Sequence, residues 1–506
     1  MYLIGLDIGT QGAKGILVDL EGKIINEAYR EYDVLTPKSN WAEQWPDVWL
    51  KASLEIIKEL IEKSNVNKAE IGGISLSGLY GGSGIPVDKN LNPLRPCLIW
   101  MDRRAVEETE WVKNKVDKQT LFKITGNYVD SYYGFTKMLW IKNKEPDIWK
   151  RIYKFVTPKD YVIYHLTGKV VIDYSSAGNI GGIFDLNKLY WSEELCNEFG
   201  IPISYLPEKI VRSSEIVGFV SREASQNCGL LEGTPVVAGG IDAPVAQLSA
   251  GAMFEGEHVA MVGTSMCWGT INKKEKPVFG LVNFPYVIDD LEKIYTFGGS
   301  ATTGALAKWF KEEFGEVETL VGKRLSKSPY EIFDDEVSKI KPGSEGLVIL
   351  PYFMGERSPI WDPYARGLIF GLSLYHKREH IYRALMEAGA YALRHNIEEG
   401  KKAGLKINEE CYLVGGVAKS SVWTKIFADV TGYKMKRVSN QVEAPYGDAF
   451  LAALGVGVIN SPTKIKEWVK YSEPIVPDFG VKEIYDRYYE IYIELYQKNK
   501  ELFKKL

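Results

Sequence analysis

The 506 residues include only five cysteines and five histidines, and neither type clusters. Cys97, Cys196, Cys228, Cys267 and Cys411 never fall in a Cys-x-x-Cys pair, which excludes a disulfide framework and a zinc site. Only His376 and His380 share helical i, i+4 spacing; with no carboxylate or Cys ligand assigned beside them, they read as surface residues. No sign of charge dominates: Lys plus Arg is 62 and Asp plus Glu is 66, a net charge of −4. That balance argues against a nucleic-acid binder, and no run of like charges is long enough for an interaction tail. Long apolar runs are missing too. The stretch Ala449–Thr463 is too short and too polar to span a bilayer. Asp7 interrupts the only apolar stretch near the N-terminus, so a secretory signal is not expected and a cytoplasmic protein is. There is no Gly-x4-Gly-Lys-Ser/Thr loop. Asp478-Phe479-Gly480 stands without a His-Arg-Asp loop and reads as an ordinary C-terminal loop.

What is present is an ordinary globular composition, 45% hydrophobic and 25% charged, in a chain too long for one core. Two large domains or three smaller ones are expected. Tyr2–Ile8, Gly15–Val18 and the run at Ile24 and Ile25 read as a strand meander. Pro46 then opens a helix with Leu50, Leu54, Ile57 and Ile61 on its apolar face. Strands are predicted at Ile71–Ser77, Leu98–Met101, Thr234–Ile241, His258–Thr264, Thr270–Asn272, Leu347–Phe353 and Cys411–Val414. Helices are predicted at Ala301–Phe314, Lys377–Lys401, Ser421–Val430 and, amphipathically, over Val481–Leu506 with Ile484, Tyr488, Ile491, Ile493 and Leu495 inward. The alternation predicts an α/β fold with a mixed sheet. Leu6–Gln11 can be laid over Ala260–Ser265, each an apolar strand followed by Gly-Thr and a polar residue, a short internal echo. In that overlay Met261 replaces Asp7, so only the first half offers a carboxylate.

Three segments carry candidate chemistry. In Asp7-Ile8-Gly9-Thr10-Gln11 the glycine lets backbone approach phosphate oxygens, Thr10 and Gln11 supply donors, and Asp7 can hold Mg²⁺; Gly263-Thr264-Ser265 repeats the turn. In Gly239-Gly240-Ile241-Asp242 a strand ends and a helix begins, placing a carboxylate where it can accept a proton from a hydroxyl attacking a γ-phosphate. The same pattern also suits an Asp that merely caps the helix. Gly415-Gly416-Val417-Ala418-Lys419-Ser420 links a strand to a helix N-terminus, a geometry that suits phosphate or ribose and equally suits packing.

These segments, in order with Trp41-Ala42-Glu43-Gln44, Trp100-Met101-Asp102-Arg103-Arg104, Lys137-Met138-Leu139-Trp140, Gly355-Glu356-Arg357-Ser358-Pro359, Ala365-Arg366-Gly367 and Glu443 with Gly447, resemble the FGGY carbohydrate kinases from Gly5 to about Gly457. The resemblance implies an actin-like (ribonuclease H-like) α/β ATPase fold of two domains around a deep cleft, divided as 1–246, sugar-binding, and 247–506, ATP-binding with the C-terminal amphipathic helix. It implies ATP and Mg²⁺, with Asp242 as catalytic base and Asp7 at the metal. Gly9, Thr10, Gln11, Gly263, Thr264, Ser265, Gly304, Lys308, Gly415, Gly416 and Ser420 fall on the nucleotide side. On the acceptor side Leu79, Tyr80, Trp100, Asp102, Arg103, Tyr132 and Asp242 are expected, with Trp41, Glu43 and Gln44 beside them. The acceptor loop Gly78-Leu79-Tyr80-Gly81-Gly82 departs from the Gln-Met-His-Gly usual in xylulose kinases of the family and from the Asn-Gln-Arg-Glu of its glycerol kinases. Ala243 stands where Asn or Gln usually follows the base. The expected acceptor is a small sugar or polyol, first a ketopentose such as D-xylulose, then ribulose, an erythritol-type polyol or glycerol. An actin-like ATPase acting on a protein partner and a silent sugar-binding protein are the rival readings. No nucleic-acid or membrane partner is expected, and a homodimer is one assembly open to the chain.

Overall fold

The apolar run Tyr2–Ile8 forms the inner strand of a six-stranded sheet. It pairs antiparallel with Gly12–Val18 and parallel with Ile71–Gly78, which sets Asp7 beside Ser77. Across the sheet the order is Ile216–Phe219, Pro235–Val237, Ile71–Gly78, Tyr2–Ile8, Gly12–Val18, Ile24–Glu31. The computed structural model describes residues 1–79, 81–439 and 443–506. Two compact units emerge: Met1–Met253 with Ile271–Thr296 and Gln441–Val469, and Phe254–Thr270 with Phe297–Asn440 and Lys470–Leu506. The fold is the two-domain α/β actin-like one expected.

In the first unit the helix Pro46–Ser64 starts at Pro46 and ends on Asn65 in the left-handed region, φ 55°. Its buried face is Trp49, Ala52, Ile56, Ile57, Leu60 and Ile61, while Leu50 and Leu54 are only half-buried. The predicted stripe is therefore rotated. The helix packs on Gly12–Val18 and Ile24–Glu31, and Gly15 draws it in: a Cβ there would lie 2.4 Å from Ile56 Cγ2. The helix Ala444–Gly455 lies against the first strand, so closely that a Cβ on Gly5 would sit 1.7 Å from the Pro445 carbonyl oxygen. That contact returns a segment from near the C-terminus to the N-terminal sheet.

In the second unit His258–Val262 pairs antiparallel with Met266–Lys273 and parallel with Glu410–Val414, which pairs parallel with Lys434–Arg437. The hairpin-plus-parallel-neighbour plan of the first strand is thus repeated, and the short echo in sequence has a structural counterpart. The C-terminal helix Lys482–Phe503 buries Tyr485, Tyr488, Tyr489, Tyr492, Leu495 and Phe503, whereas Ile484 is exposed. Its inward face is aromatic rather than aliphatic. Tyr391, on the long helix Arg378–Lys402, packs against Tyr485, Tyr489 and Tyr492. His380 is not a surface residue: it is buried, with Nε2 3.0 Å from Glu345 Oε2. The carboxylate that it meets comes from a turn 35 residues away. Several predicted strands are shorter, Cys97–Leu98, Pro235–Val237 and Val348–Leu350 among them. Among the described residues no helix is long and apolar enough to cross a membrane.

Candidate active site

Three carboxylates gather at the ends of the first unit's strands. Ser77 Oγ lies 2.9 Å from Asp7 Oδ1 and 2.6 Å from Asp448 Oδ2, so one hydroxyl joins strand and helix. The hydroxyl has a single proton to share between them. Burial and the nearby Asp242 push the Asp7 carboxyl up to about 7. Burial raises Asp448 well above the ordinary carboxylate range. Asp242 opens the helix Asp242–Ser249, immediately after the Gly239-Gly240-Ile241 turn. Gly239 has φ 65°, and a Cβ there would meet the Leu76 carbonyl oxygen at 1.8 Å, so only glycine fits. Asp242 Oδ1 accepts from the Ala243 N–H at 2.7 Å, and burial pushes its carboxyl up to about 6. A group so poised is ionised above pH 6 and still basic enough to take a proton. The arrangement fits a divalent cation held by Asp7, since closely set carboxylates that resist ionisation gain most from positive charge. Among the described residues no group of three or more His, Cys, Asp or Glu encloses a metal. Water and phosphate oxygens would therefore complete its shell, as suits Mg²⁺.

Beside these acids, the Trp100 indole N–H donates to Thr10 Oγ1 at 3.0 Å, which fixes the ring on the Gly9-Thr10 turn. Gln44 holds the same turn, donating to the Thr10 and Asp33 carbonyl oxygens. Gly81, at φ 85°, lies against both Tyr132 and Trp100; a Cβ on it would meet their side chains at 3.0 and 3.1 Å. Lys137, missed as a site residue, is fully buried and donates to the carbonyl oxygens of Gly81 (2.7 Å) and Tyr132 (2.6 Å). Burial brings its ammonium down to about 7. Arg103 pairs with Asp130, which also accepts from the Tyr132 N–H at 2.7 Å. Thr10, Trp100, Gly81, Tyr132 and Arg103 therefore form one connected surface.

Two expected acceptor residues are placed otherwise. Asp102 is fully buried: Oδ2 accepts from the Ala42 N–H at 2.7 Å and Oδ1 from the Arg104 N–H at 3.0 Å. Leu79 lies in the core, its N–H bonded to the Ile8 carbonyl oxygen. Trp41 and Glu43 belong with Asp102, around the Arg104 guanidinium. Tyr80 lies outside the described residues.

Within the second unit, the Gly263-Thr264-Ser265 turn is tied to the helix Gly304–Phe314: Gly304 N–H reaches the Gly263 carbonyl oxygen at 3.0 Å and Ala305 N–H that of Thr264 at 3.0 Å. A Cβ on Gly304 would lie 2.3 Å from the Gly263 carbonyl oxygen, and one on Gly415, at φ 97°, 2.5 Å from that of Val262. The Gly263-Thr264 turn, the start of the Gly304 helix and the Gly415-Gly416 loop thus converge at the end of the strand His258–Val262. Ser420 caps the next helix through Trp423 N–H at 2.9 Å. Lys308 is exposed one turn along the Gly304 helix, 3.8 Å from Glu312.

The profiles of the FGGY family of carbohydrate kinases match both halves of the chain, the N-terminal domain over residues 2–249 and the C-terminal domain over 258–456. The chain is 31% identical over 507 residues to a xylulose kinase of Bacillus subtilis, covering 99% of this chain and 98% of that one. It is 30% identical over 477 residues to a gluconokinase of the same organism, covering 92% and 90%. Among solved structures, the xylulose kinase from Rhodospirillum rubrum superposes with a TM-score of 0.89 at 28% identity over 100% of both chains.

Proposed function

The chain belongs to the FGGY family of carbohydrate kinases, and from that premise we propose that it transfers the γ-phosphoryl group of ATP to a hydroxyl of a ketopentose such as D-xylulose, with Asp242 as general base. The observation that supports it most is Asp242 itself, delivered by a glycine turn beside Asp7 and raised to about 6 by burial. Asp242 takes the proton of the acceptor hydroxyl. The freed oxygen forms its bond to the γ-phosphorus as the bond from that phosphorus to the β–γ bridging oxygen breaks, and ADP leaves. Asp7 would hold a Mg²⁺ ion, which would supply charge neutralisation for the phosphates. Thr10 with its turn offers N–H and O–H donors to phosphate oxygens, and the turn at Thr264 in the second unit carries the same donor types. Trp100 and Tyr132 give the acceptor an aromatic wall, and Arg103 gives it a donor.

A neutral sugar is favoured over an aldonate on charge grounds. Arg103 is already paired with Asp130, and Lys137 is engaged by two carbonyl oxygens and partly neutral at pH 7. Neither is free to neutralise a carboxylate. ADP release from Mg-ATP, measured across ketopentoses, aldonates, polyols and glycerol, tests this. A ketopentose should stimulate release well above the rate with water. Stimulation by gluconate alone would move the acceptor to the aldonates. High basal hydrolysis that no acceptor changes would favour an ATPase acting on a protein partner.

The base also sets a pH dependence. Its carboxyl must be ionised to accept the proton, so kcat/KM should be flat above about pH 7 and fall tenfold per unit below about pH 6. An acid limb near pH 4 would place the base in an ordinary, solvated environment.

A further inference from the structure

Behind the turn that delivers Asp242 lies a buried polar network with no place in the chemistry described so far. Lys159 Nζ is 2.6 Å from Asp160 Oδ1 and 2.9 Å from Asp173 Oδ2, and donates to the Ala238 carbonyl oxygen at 3.1 Å. Asp173 Oδ1 accepts from the Ser175 N–H at 2.9 Å, the Ser176 N–H at 3.1 Å and the Ser175 hydroxyl. The Ser175 oxygen in turn accepts from the Ile241 N–H at 3.1 Å. Lys159, Asp160, Asp173 and Ser175 are all buried. Such an assembly is costly to bury and rigid once every partner is satisfied.

The network grips the turn on both sides of its glycines. Lys159 holds Ala238, Ser175 holds Ile241, and between them the Gly240 carbonyl oxygen accepts from the Gly78 N–H at 3.3 Å. A Cβ on Gly240 would stand 3.0 Å from Ser175 Oγ, so the glycine makes room for the hydroxyl. Ser175 has one proton, and Asp173 fixes where it points. The oxygen's lone pair is thereby aimed at Ile241 N–H, one residue before the base.

We propose that Ser175, oriented by Asp173, is a positioning residue for phosphoryl transfer: its hydroxyl holds Ile241 N–H and so fixes the direction in which the Asp242 carboxylate faces the acceptor hydroxyl. This rests on Asp242 being the base. Misplacing a reacting group by about 1 Å costs on the order of 10²-fold in rate, so losing one of several anchors should cost less than losing the base.

A double-mutant cycle tests it. Ser175→Ala should lower kcat about 10–100-fold with the KM for ATP within about twofold of wild type. Ser175→Cys fills the same space with a weaker donor and acceptor and should fall between Ser and Ala. In an Asp242→Asn background, Ser175→Ala should cost no more than about a further twofold, because the residue acts through a base no longer there. Equal losses in both backgrounds would make the role structural and overturn the proposal, as would full kcat in the Ala and Cys variants. Asp242→Asn retaining wild-type kcat would instead overturn the base assignment itself, whichever way Ser175→Ala behaves.

Discussion

Asp242→Asn is expected to lower turnover by about 10²–10⁴-fold, the range for lost general-base assistance, while the protein stays folded. The amide keeps the size of the side chain and the acceptor for Ala243 N–H, so the turn should survive. What disappears is the ability to take a proton. The same substitution should not reduce thermal stability, and above pH 7 it should raise it. A carboxyl whose folded value is raised from 3.8 to about 6 binds its proton more readily in the folded state. Folding is therefore favoured at low pH and opposed as the pH rises through that interval. Above it the ionised form carries the full cost of burial, which the neutral amide avoids. At pH 8 the melting temperature should rise by a few degrees, at the roughly 2–4 °C per kcal/mol of a mid-sized domain; below pH 4 the difference should vanish. Steady-state kinetics with saturating acceptor, beside melting curves at the two pH values, would decide it. A variant that keeps most of its kcat would remove Asp242 from the chemistry.

Arg104→Ala should destabilise the first unit by about 3–5 kcal/mol, the usual consequence of breaking a buried ion pair from one side. The Arg104 side chain is 1% exposed and its partner Asp102 is fully buried. Nε lies 2.8 Å from Asp102 Oδ2 and Nη2 2.7 Å from the same oxygen, while Nη2 also reaches Glu43 at 3.1 Å. The guanidinium lies 3.6 Å from the Trp41 ring centroid and 4.8 Å from that of Trp140. Removing it leaves the Asp102 charge without its main partner, with Ala42 N–H still bound to it. Because Trp100 and Arg103 flank that carboxylate in the chain, the acceptor KM should rise along with the loss of stability. Arg104→Lys restores one charge but neither the fork nor the stacking, and should recover little. Urea unfolding followed by tryptophan fluorescence would measure it. A loss below 1 kcal/mol would show the cluster to be better solvated than its burial indicates.

Much of the candidate site was legible in the chain. Asp7, Thr10, Asp242 and Thr264 stand out as candidates because each lies near the end of an apolar run and within two residues of a glycine, a local pattern set by strand periodicity and turn chemistry. The hairpin echo was legible for the same reason, since register within a hairpin is decided over a few residues. Pro46 marked a helix start that the structure keeps. What the sequence did not reveal lies in long-range pairing. Asp102 looks like a free acid in a polar motif, and only the fold shows that Arg104 and Ala42 occupy its oxygens. His380 looks exposed until Glu345 arrives from elsewhere. Lys137 hides in an apolar helix because its partners, the Gly81 and Tyr132 carbonyl oxygens, belong to loops.

By itself, then, the sequence determined the first hairpin, the glycine turns and the acidic residues placed near them, because those depend on the backbone freedom of neighbouring residues. Tertiary structure decided which partners each buried charge finds. It brought Asp448 to Ser77 across 371 residues and set the Lys159–Asp173–Ser175 network against the turn before Asp242. A polar group's role inside a protein depends on which partners desolvation forces it to find, and those partners are fixed by packing, not by sequence distance.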